Sequence, residues 1–349
     1  MTEKAEEKQY RCPGESYTIS DSVCRGRQRV NYPKCNVCLE KVEPGGFAQS
    51  HAEPKLSINI FKSYDIRGKY PSELNDTTAH KIGTSIALFF REKNPDVKNI
   101  VVGRDMRLSS KSLANALIEG LCTAGLNVIN VGVVSSEMTY FAVGHYKYDG
   151  GVMVTASHNP AEYNGFKLCR EQAIPVSFET GIDRISKLTK QYHPLRGEHL
   201  GKVIVSDIFA DYKKHVLKFA SNLRHLRVVI DAGNGMAGKT IPLVCEGLPI
   251  EIIPLYFELD GSFPNHEANP LKPENMVDLQ KKVRETRAHL GVAFDGDADR
   301  CVFVDEMGRI IGCDIITALI AKQILEREKG ATILYDLRSS WIVPEEIKA

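Results

Sequence analysis

Long apolar runs are missing from this 349-residue chain. None reaches the ~18 residues a membrane-spanning helix requires, which excludes a helical anchor. An excess of one charge is missing too: the formal net charge is +1, which argues against nucleic acid or an anionic membrane as an obligate partner. Met1 to Gln9 are charged and carry no apolar h-region, so no secretory signal is read there. Cysteine is scarce. Nine are too sparse for a disulfide scaffold, and the five beyond residue 100 lie in apolar contexts where free, buried thiols are expected. The remaining composition, 43% hydrophobic and 26% charged, is that of a soluble globular protein. The length calls for two or three domains. The expected product is a soluble, cytoplasmic, multidomain protein.

Residues 1–55 stand apart from the rest. They lack sustained periodicity and hold four of the nine cysteines, Cys12, Cys24, Cys35 and Cys38. A segment this small needs a staple to fold alone. Cys35-x-x-Cys38 with Cys12 and Cys24 offers the ligand set of a structural zinc site, but Cys12 and Cys24 are too far apart to form a second knuckle. The competing reading is a disordered leader.

From about residue 56 the pattern becomes α/β, with apolar strand candidates alternating with amphipathic helix candidates. Three units look alike. Asn99 to Asp105 leads through Ser109-Ser110 into the periodic stretch Leu113 to Leu121. Arg227 to Asp231 leads through Gly233-Asn234-Gly235 into a short apolar segment, and Thr332 to Asp336 leads through Arg338-Ser339-Ser340 into Trp341 to Val343. Each reads as a strand, an Asp in a polar turn and a helix start. The recurrence predicts tandem similar α/β domains.

Two loops carry the chemistry. The first, Thr155-Ala156-Ser157-His158-Asn159-Pro160, follows the apolar run Gly151 to Val154, which reads as a buried strand. Pro160 removes a donor and biases Asn159 away from helix, fixing Ser157 on a strand-end loop. A serine beside a histidine and ten residues before Lys167 is placed for covalent chemistry, the alternative being a plain Ser/Asn turn.

The second loop, Phe294-Asp295-Gly296-Asp297-Ala298-Asp299-Arg300, sets carboxylates at alternate positions. They converge only in a tight loop, and converging carboxylates call for a hard cation, with Mg²⁺ preferred because it pairs with phosphate oxygens. An EF-hand is excluded because Arg300 occupies the position of its obligatory glycine and Cys301 to Val304 reads as a strand. A solvated acidic turn is the bland alternative.

Other candidates are weaker on their own. Arg67, before Gly68, could aim a guanidinium fork at a phosphate or sit on the surface. Asn164-Gly165 predicts a tight hairpin that returns Lys167 toward Ser157, where it could hold a phosphoryl group or move protons. Asp260 to His266 reads as a structured loop, and Gly233-Asn234-Gly235 is too weak to be read as a phosphate cradle.

Taken together, these residues are the parts of phosphoryl transfer through a phosphoserine. Over about residues 57–349 the chain resembles the α-D-phosphohexomutase family, in particular its bacterial phosphomannomutase/phosphoglucomutase group. Thr155 to Pro160 matches the phosphoserine loop and Asp295 to Arg300 the metal loop. Tyr64 to Gly68, Gly103 to Asp105 and Asn164 to Lys167 match further segments. Asp260 to His266 with Lys272 to Asn275 looks like the mannose/glucose branch.

The resemblance implies tandem α/β/α domains with mixed sheets and a hexose phosphate (mannose or glucose) as substrate. It also implies Mg²⁺ on Ser157, Asp295, Asp297 and Asp299, a hexose 1,6-bisphosphate intermediate, and glucose 1,6-bisphosphate as an activator. His158, Lys167, Arg67 and Arg300 would handle protons and phosphoryl charge, while Tyr64, Arg67 and Arg338 would touch substrate. Arg338 stands where this group usually has lysine. Of four expected domains, the first two fall at 56–203 and 204–310, a third begins at 311–349, and a Gly-Glu-x-Ser-Gly loop and a fourth domain are not in the chain. The resemblance thus implies weak or no mutase activity for this polypeptide alone, with apolar surface exposed near Ile315 to Ile324. Two other functions stay open: a Mg²⁺-dependent sugar-phosphate phosphatase or phosphotransferase, and a non-catalytic sugar-phosphate-binding partner. The oligomeric state is left open.

Overall fold

The computed structural model describes residues 9–10, 19–20, 58–194, 200–220 and 223–348. Met1–Lys55 and Leu56–Ala349 are separate compact units. In the first, Gln9–Tyr10 (β1) and Ile19–Ser20 (β2) pair antiparallel. The four cysteines considered for zinc lie outside the described residues.

The first sheet of the larger unit comprises β3 (Ile66–Lys69), β4 (Asn99–Arg104), β5 (Asn127–Val133), β6 (Gly150–Val154), β7 (Tyr163–Arg170) and β8 (Val203–Val205). They lie in the order β3-β7-β6-β4-β5-β8, parallel through β6, β4, β5 and β8 and antiparallel at β7 and β3. Central strands are apolar on both faces because both are covered. Ile100, Val102, Val152 and Val154 meet helices α1 (Asp76–Lys93) and α2 (Ser110–Thr123). The alternating residues Val101 and Met153 face Met138 and Val143 of α3 (Ser136–Tyr146). Short helices α4 (Asp183–Lys190) and α5 (Phe209–Val216) follow.

In the second sheet, β9 (Leu226–Asp231) and β10 (Ile250–Leu255) run parallel with β11 (Leu290–Phe294). β12 (Cys301–Asp305) and β13 (Ile310–Ile311) continue it antiparallel. Helices α6 (Ala237–Cys245) and α7 (Val277–Thr286) follow β9 and precede β11. Val229 and Ala293 pack with Leu279 and Val283 of α7, while Val228 and Ile230 face Ile241 of α6. Both sheets are mixed and helix-covered, so the α/β/α expectation holds. β8 carries the first sheet through Val205, across the expected 203/204 boundary.

Three sequence expectations are corrected. Thr332 to Asp336 forms no strand: no ladder partner reaches it among the described residues, and Leu334 and Leu337 are 92% and 99% exposed. Helix follows anyway as α8 (Cys313–Arg327) upstream and α9 (Ile342–Lys348) downstream, with Ile315, Leu319, Ile320 and Ile324 of α8 exposed. Asn164-Gly165 is no turn but lies inside β7, paired with Gly68 and Arg67 of β3. Lastly, the thiols beyond residue 100 are not uniformly buried. Cys169 is, but Cys301 and Cys313 are exposed.

In such sheets the strands' carboxyl ends open into the ligand crevice. The loops after β4, β6, β9 and β11 all leave from such ends, and the candidate residues sit on them. Among the described residues no helix is long and apolar enough to cross a membrane.

Candidate active site

The serine loop is held from within and from below. Thr155 N–H bonds the Gly165 carbonyl at 3.0 Å, and Ser157 N–H bonds Thr155 Oγ1 at 2.9 Å. Ser157 is left in a left-handed conformation, φ 54°, and is 1% exposed. A non-glycine residue holds such a conformation only where its surroundings over-determine it.

Ser157 Oγ donates to Asp295 Oδ2 at 2.8 Å. Arg300 Nη2 reaches both Ser157 Oγ and His158 Nδ1, and Arg300 Nε donates to Asp295 Oδ2 at 3.0 Å. The His158 ring nitrogen lies 3.4 Å from Ser157 Oγ. Burial, then the positive charges of Arg300 and Arg67, push His158 down to about 4, so its ring is neutral near pH 7.

The aspartate loop turns as its alternation requires. Ala298 has φ 62°, and Ala298 N–H bonds the Asp295 carbonyl at 3.0 Å. Ligand atoms of Asp295, Asp297 and Asp299 lie within 4.8 Å of one another. Asp295 and Asp297 are fully buried. Burial and then repulsion from Asp297 and Asp299 push Asp295 up to about 7, although Arg300 opposes this. Asp297 shifts down: burial resists its charge, but the Lys167 ammonium outweighs it. Lys167 donates to Asp297 Oδ2 at 2.6 Å and also to Asp299. Asp297 Oδ1 is buried without a partner. Three converging carboxylates with one orphaned oxygen fit a small hard cation.

Arg67, half-buried, donates from Nη1 to Asn159 Oδ1 at 2.6 Å and pairs with Asp65. It therefore joins the serine loop rather than the open surface. Lys167 arrives by register, opposite Met153, and not through a hairpin at Asn164. Tyr64 and Arg338 are not brought in. Tyr64 is 81% exposed, and Arg338 is exposed with its guanidinium on Asp336 at 2.8 and 2.9 Å. No hydrogen bond or ion pair joins either residue to the Ser157 cluster among the described residues.

Two residues missed in the sequence belong to the site. Ser136, first in α3, bonds Asp297 through its hydroxyl, and its N–H meets the Asp297 carbonyl at 3.1 Å. Arg107 lies buried beneath the serine loop, donating to its carbonyls. Its only sequence signal is the Asp105-x-Arg107 turn after β4.

Comparison with known proteins gives the family. The family profile described as phosphoglucomutase/phosphomannomutase, alpha/beta/alpha domain I, matches residues 59–195, and that of domain II matches 209–308. A phosphomannomutase of Vibrio cholerae is 41% identical over 291 residues, covering 81% of this chain and 63% of that protein. A protein of Xanthomonas campestris named phosphohexose mutases is 40% identical over 295 residues, covering 84% and 65%. Among solved structures, a phosphoglucomutase/phosphomannomutase family protein of Burkholderia thailandensis superposes with a TM-score of 0.76 at 34% identity, covering 83% of this chain and 65% of that one. The chain thus spans just under two thirds of the length of these relatives. With both domain profiles matched in order over more than half its length, the chain belongs to the α-D-phosphohexomutase family, in its bacterial phosphomannomutase group.

Proposed function

We propose that these domains carry the phosphoryl-transfer centre of a phosphohexomutase, which interconverts mannose or glucose 1-phosphate and 6-phosphate through phosphorylated Ser157 and a 1,6-bisphosphate. The observation that carries this reading is the convergence on Ser157 Oγ of the Asp295 carboxylate and the Arg300 guanidinium, beside the three-aspartate cluster.

In the forward step the bond from phosphorus to Ser157 Oγ breaks as a bond to the sugar hydroxyl oxygen forms. Arg300, on Oγ, stabilises charge on the departing serine oxygen. The sugar hydroxyl loses a proton, which the neutral ring of His158, beside Ser157, would accept. That proton would pass on to the departing Ser157 oxygen, 3.4 Å from the His158 ring nitrogen, while Lys167, held positive by Asp297 and Asp299 against the effect of burial, would stay charged and stabilise phosphoryl oxygens. Arg67, which donates to Asn159 Oδ1 of the serine loop, would add positive charge for the transferring group. Mg²⁺, held by Asp295, Asp297, Asp299 and an oxygen of the phosphorylated serine, would neutralise the non-bridging oxygens. Turnover of the bisphosphate then returns the other phosphate to Ser157.

The test is to incubate the protein with Mg²⁺, catalytic glucose 1,6-bisphosphate and mannose or glucose 1-phosphate. Formation of the 6-phosphate supports the mutase reading. Release of inorganic phosphate without interconversion would assign a phosphatase instead.

A further inference from the structure

Arg107 is an arginine with 1% exposure, so it is out of reach of any substrate. Its Nη1 donates to the carbonyls of Pro160 and Tyr163 at 2.8 and 3.1 Å. Its Nη2 donates to those of Ser157 and Asn159 at 2.8 and 2.6 Å. Nε lies 3.2 Å from Asp105 Oδ2, which neutralises the buried charge. The fork thus gathers four carbonyls of one loop, and only a planar guanidinium presents donors in that arrangement.

The upper side of the guanidinium is closed by the second domain. The Phe263 ring centroid lies 4.9 Å from its central carbon, within cation–π range. Gly261 sits directly on the arginine's backbone: a Cβ there would come within 2.6 Å of Arg107 Cα. The aspartate loop joins the same stack, since a Cβ on Gly296 would come within 2.6 Å of the Ser157 carbonyl oxygen. Three loops from two domains therefore meet around one side chain, and the carbonyl it holds belongs to the residue whose left-handed backbone aims Oγ at Asp295.

We propose that Arg107 is a positioning residue for the serine chemistry, coupling the seating of the second domain, through Phe263, to the orientation of Ser157. This rests on the phosphoserine reading above. Because Arg107 touches neither the carboxylate cluster nor the crevice, its loss slows transfer without weakening sugar or metal binding.

The experiment follows phosphorylation of Ser157 by glucose 1,6-bisphosphate in the wild type, Arg107→Lys and Phe263→Leu, with Mg²⁺-induced thermal stabilisation measured in parallel. Arg107→Lys keeps the charge and loses the fork. Its maximal rate is expected to fall about 100-fold, the scale of a small misplacement of reacting groups, while the half-saturating bisphosphate concentration and the Mg²⁺ response stay within about twofold. Phe263→Leu keeps the fork and loses the ring, and its maximal rate is expected to fall about two- to fivefold, the scale of one cation–π contact. If Arg107→Lys does not fold, Phe263→Leu decides alone. Wild-type maximal rates in Phe263→Leu, or a loss confined to half-saturation, overturn the positioning role and leave the phosphoserine reading standing. No phosphate on wild-type Ser157 overturns both.

Discussion

Ser157 Oγ donates a 2.8 Å hydrogen bond to Asp295 Oδ2, across 138 residues of sequence and from one α/β/α domain to the other. Each domain contributes a loop at the carboxyl end of a buried strand, β6 for the serine and β11 for the aspartate. The site exists only where the two domains meet, and predictions follow from both sides of that contact.

In the proposed reaction, removing the Ser157 hydroxyl removes the phosphate acceptor. Ser157→Ala is expected to lower phosphate uptake from glucose 1,6-bisphosphate by about 10³-fold or more, the scale of losing a nucleophile. Fold is preserved because Arg107 binds the carbonyl of this residue, not its side chain. Phosphate incorporation alongside circular dichroism checks both statements.

Removing one carboxylate separates metal binding from folding. A ligand that binds only the folded state raises its melting temperature, so millimolar Mg²⁺ is expected to stabilise the wild type by a few degrees. Asp297→Asn keeps the shape of the buried side chain and loses its charge and its ion pair with Lys167. Its melting temperature is expected not to respond to Mg²⁺, which differential scanning calorimetry reads directly.

A pH effect is expected in the second domain. His266 Nε2 lies 3.0 Å from Asp231 Oδ2 and Nδ1 lies 2.8 Å from the Glu267 carbonyl, so both nitrogens face acceptors. Burial opposes the imidazolium, but the Asp231 and Glu267 contacts outweigh it and raise the value above 6.5. A raised folded value stabilises fully below the unfolded one and is lost as pH rises through the folded one. Urea midpoints of the wild type should therefore fall between pH 6 and 9 by more than those of His266→Gln.

Glu137 gives the opposite design, an acid kept neutral. It lies in the first turn of α3, its Oε2 has no partner, and burial pushes it up to about 8 from 4.5. The unfolded state loses this proton first, so wild-type stability declines as pH rises from 4.5 to 8. Glu137→Gln abolishes that slope and is expected to be more stable at pH 8 by about 1–3 kcal/mol, measured by urea denaturation at pH 5 and pH 8.

The two candidate loops were legible in the sequence because each is a short polar motif closing an apolar strand, and ligand crevices open at strand ends in such sheets. Arg107 was not, because its role depends on a loop 50 or more residues later folding over it. Asn164-Gly165 misled for a physical reason. Its turn signal is local, and pairing on both sides of β7 overrode it, with the Asn164 amide bonding Ser109 and Ser110 instead. The strand expected at Thr332 to Asp336 has suitable residues but no ladder partner among the described residues, and propensity alone does not make a sheet. Arg338 shares a polar-turn pattern with the two candidate loops, and in the structure its guanidinium lies on the neighbouring Asp336.

The most direct test of the central claim is phosphopeptide mapping after incubation with glucose 1,6-bisphosphate and Mg²⁺. The account predicts one phosphate per chain, on Ser157, absent when Mg²⁺ is chelated or Asp297 is replaced by Asn. Phosphate on another residue, or none on Ser157 in a folded, Mg²⁺-stabilised sample, would contradict it.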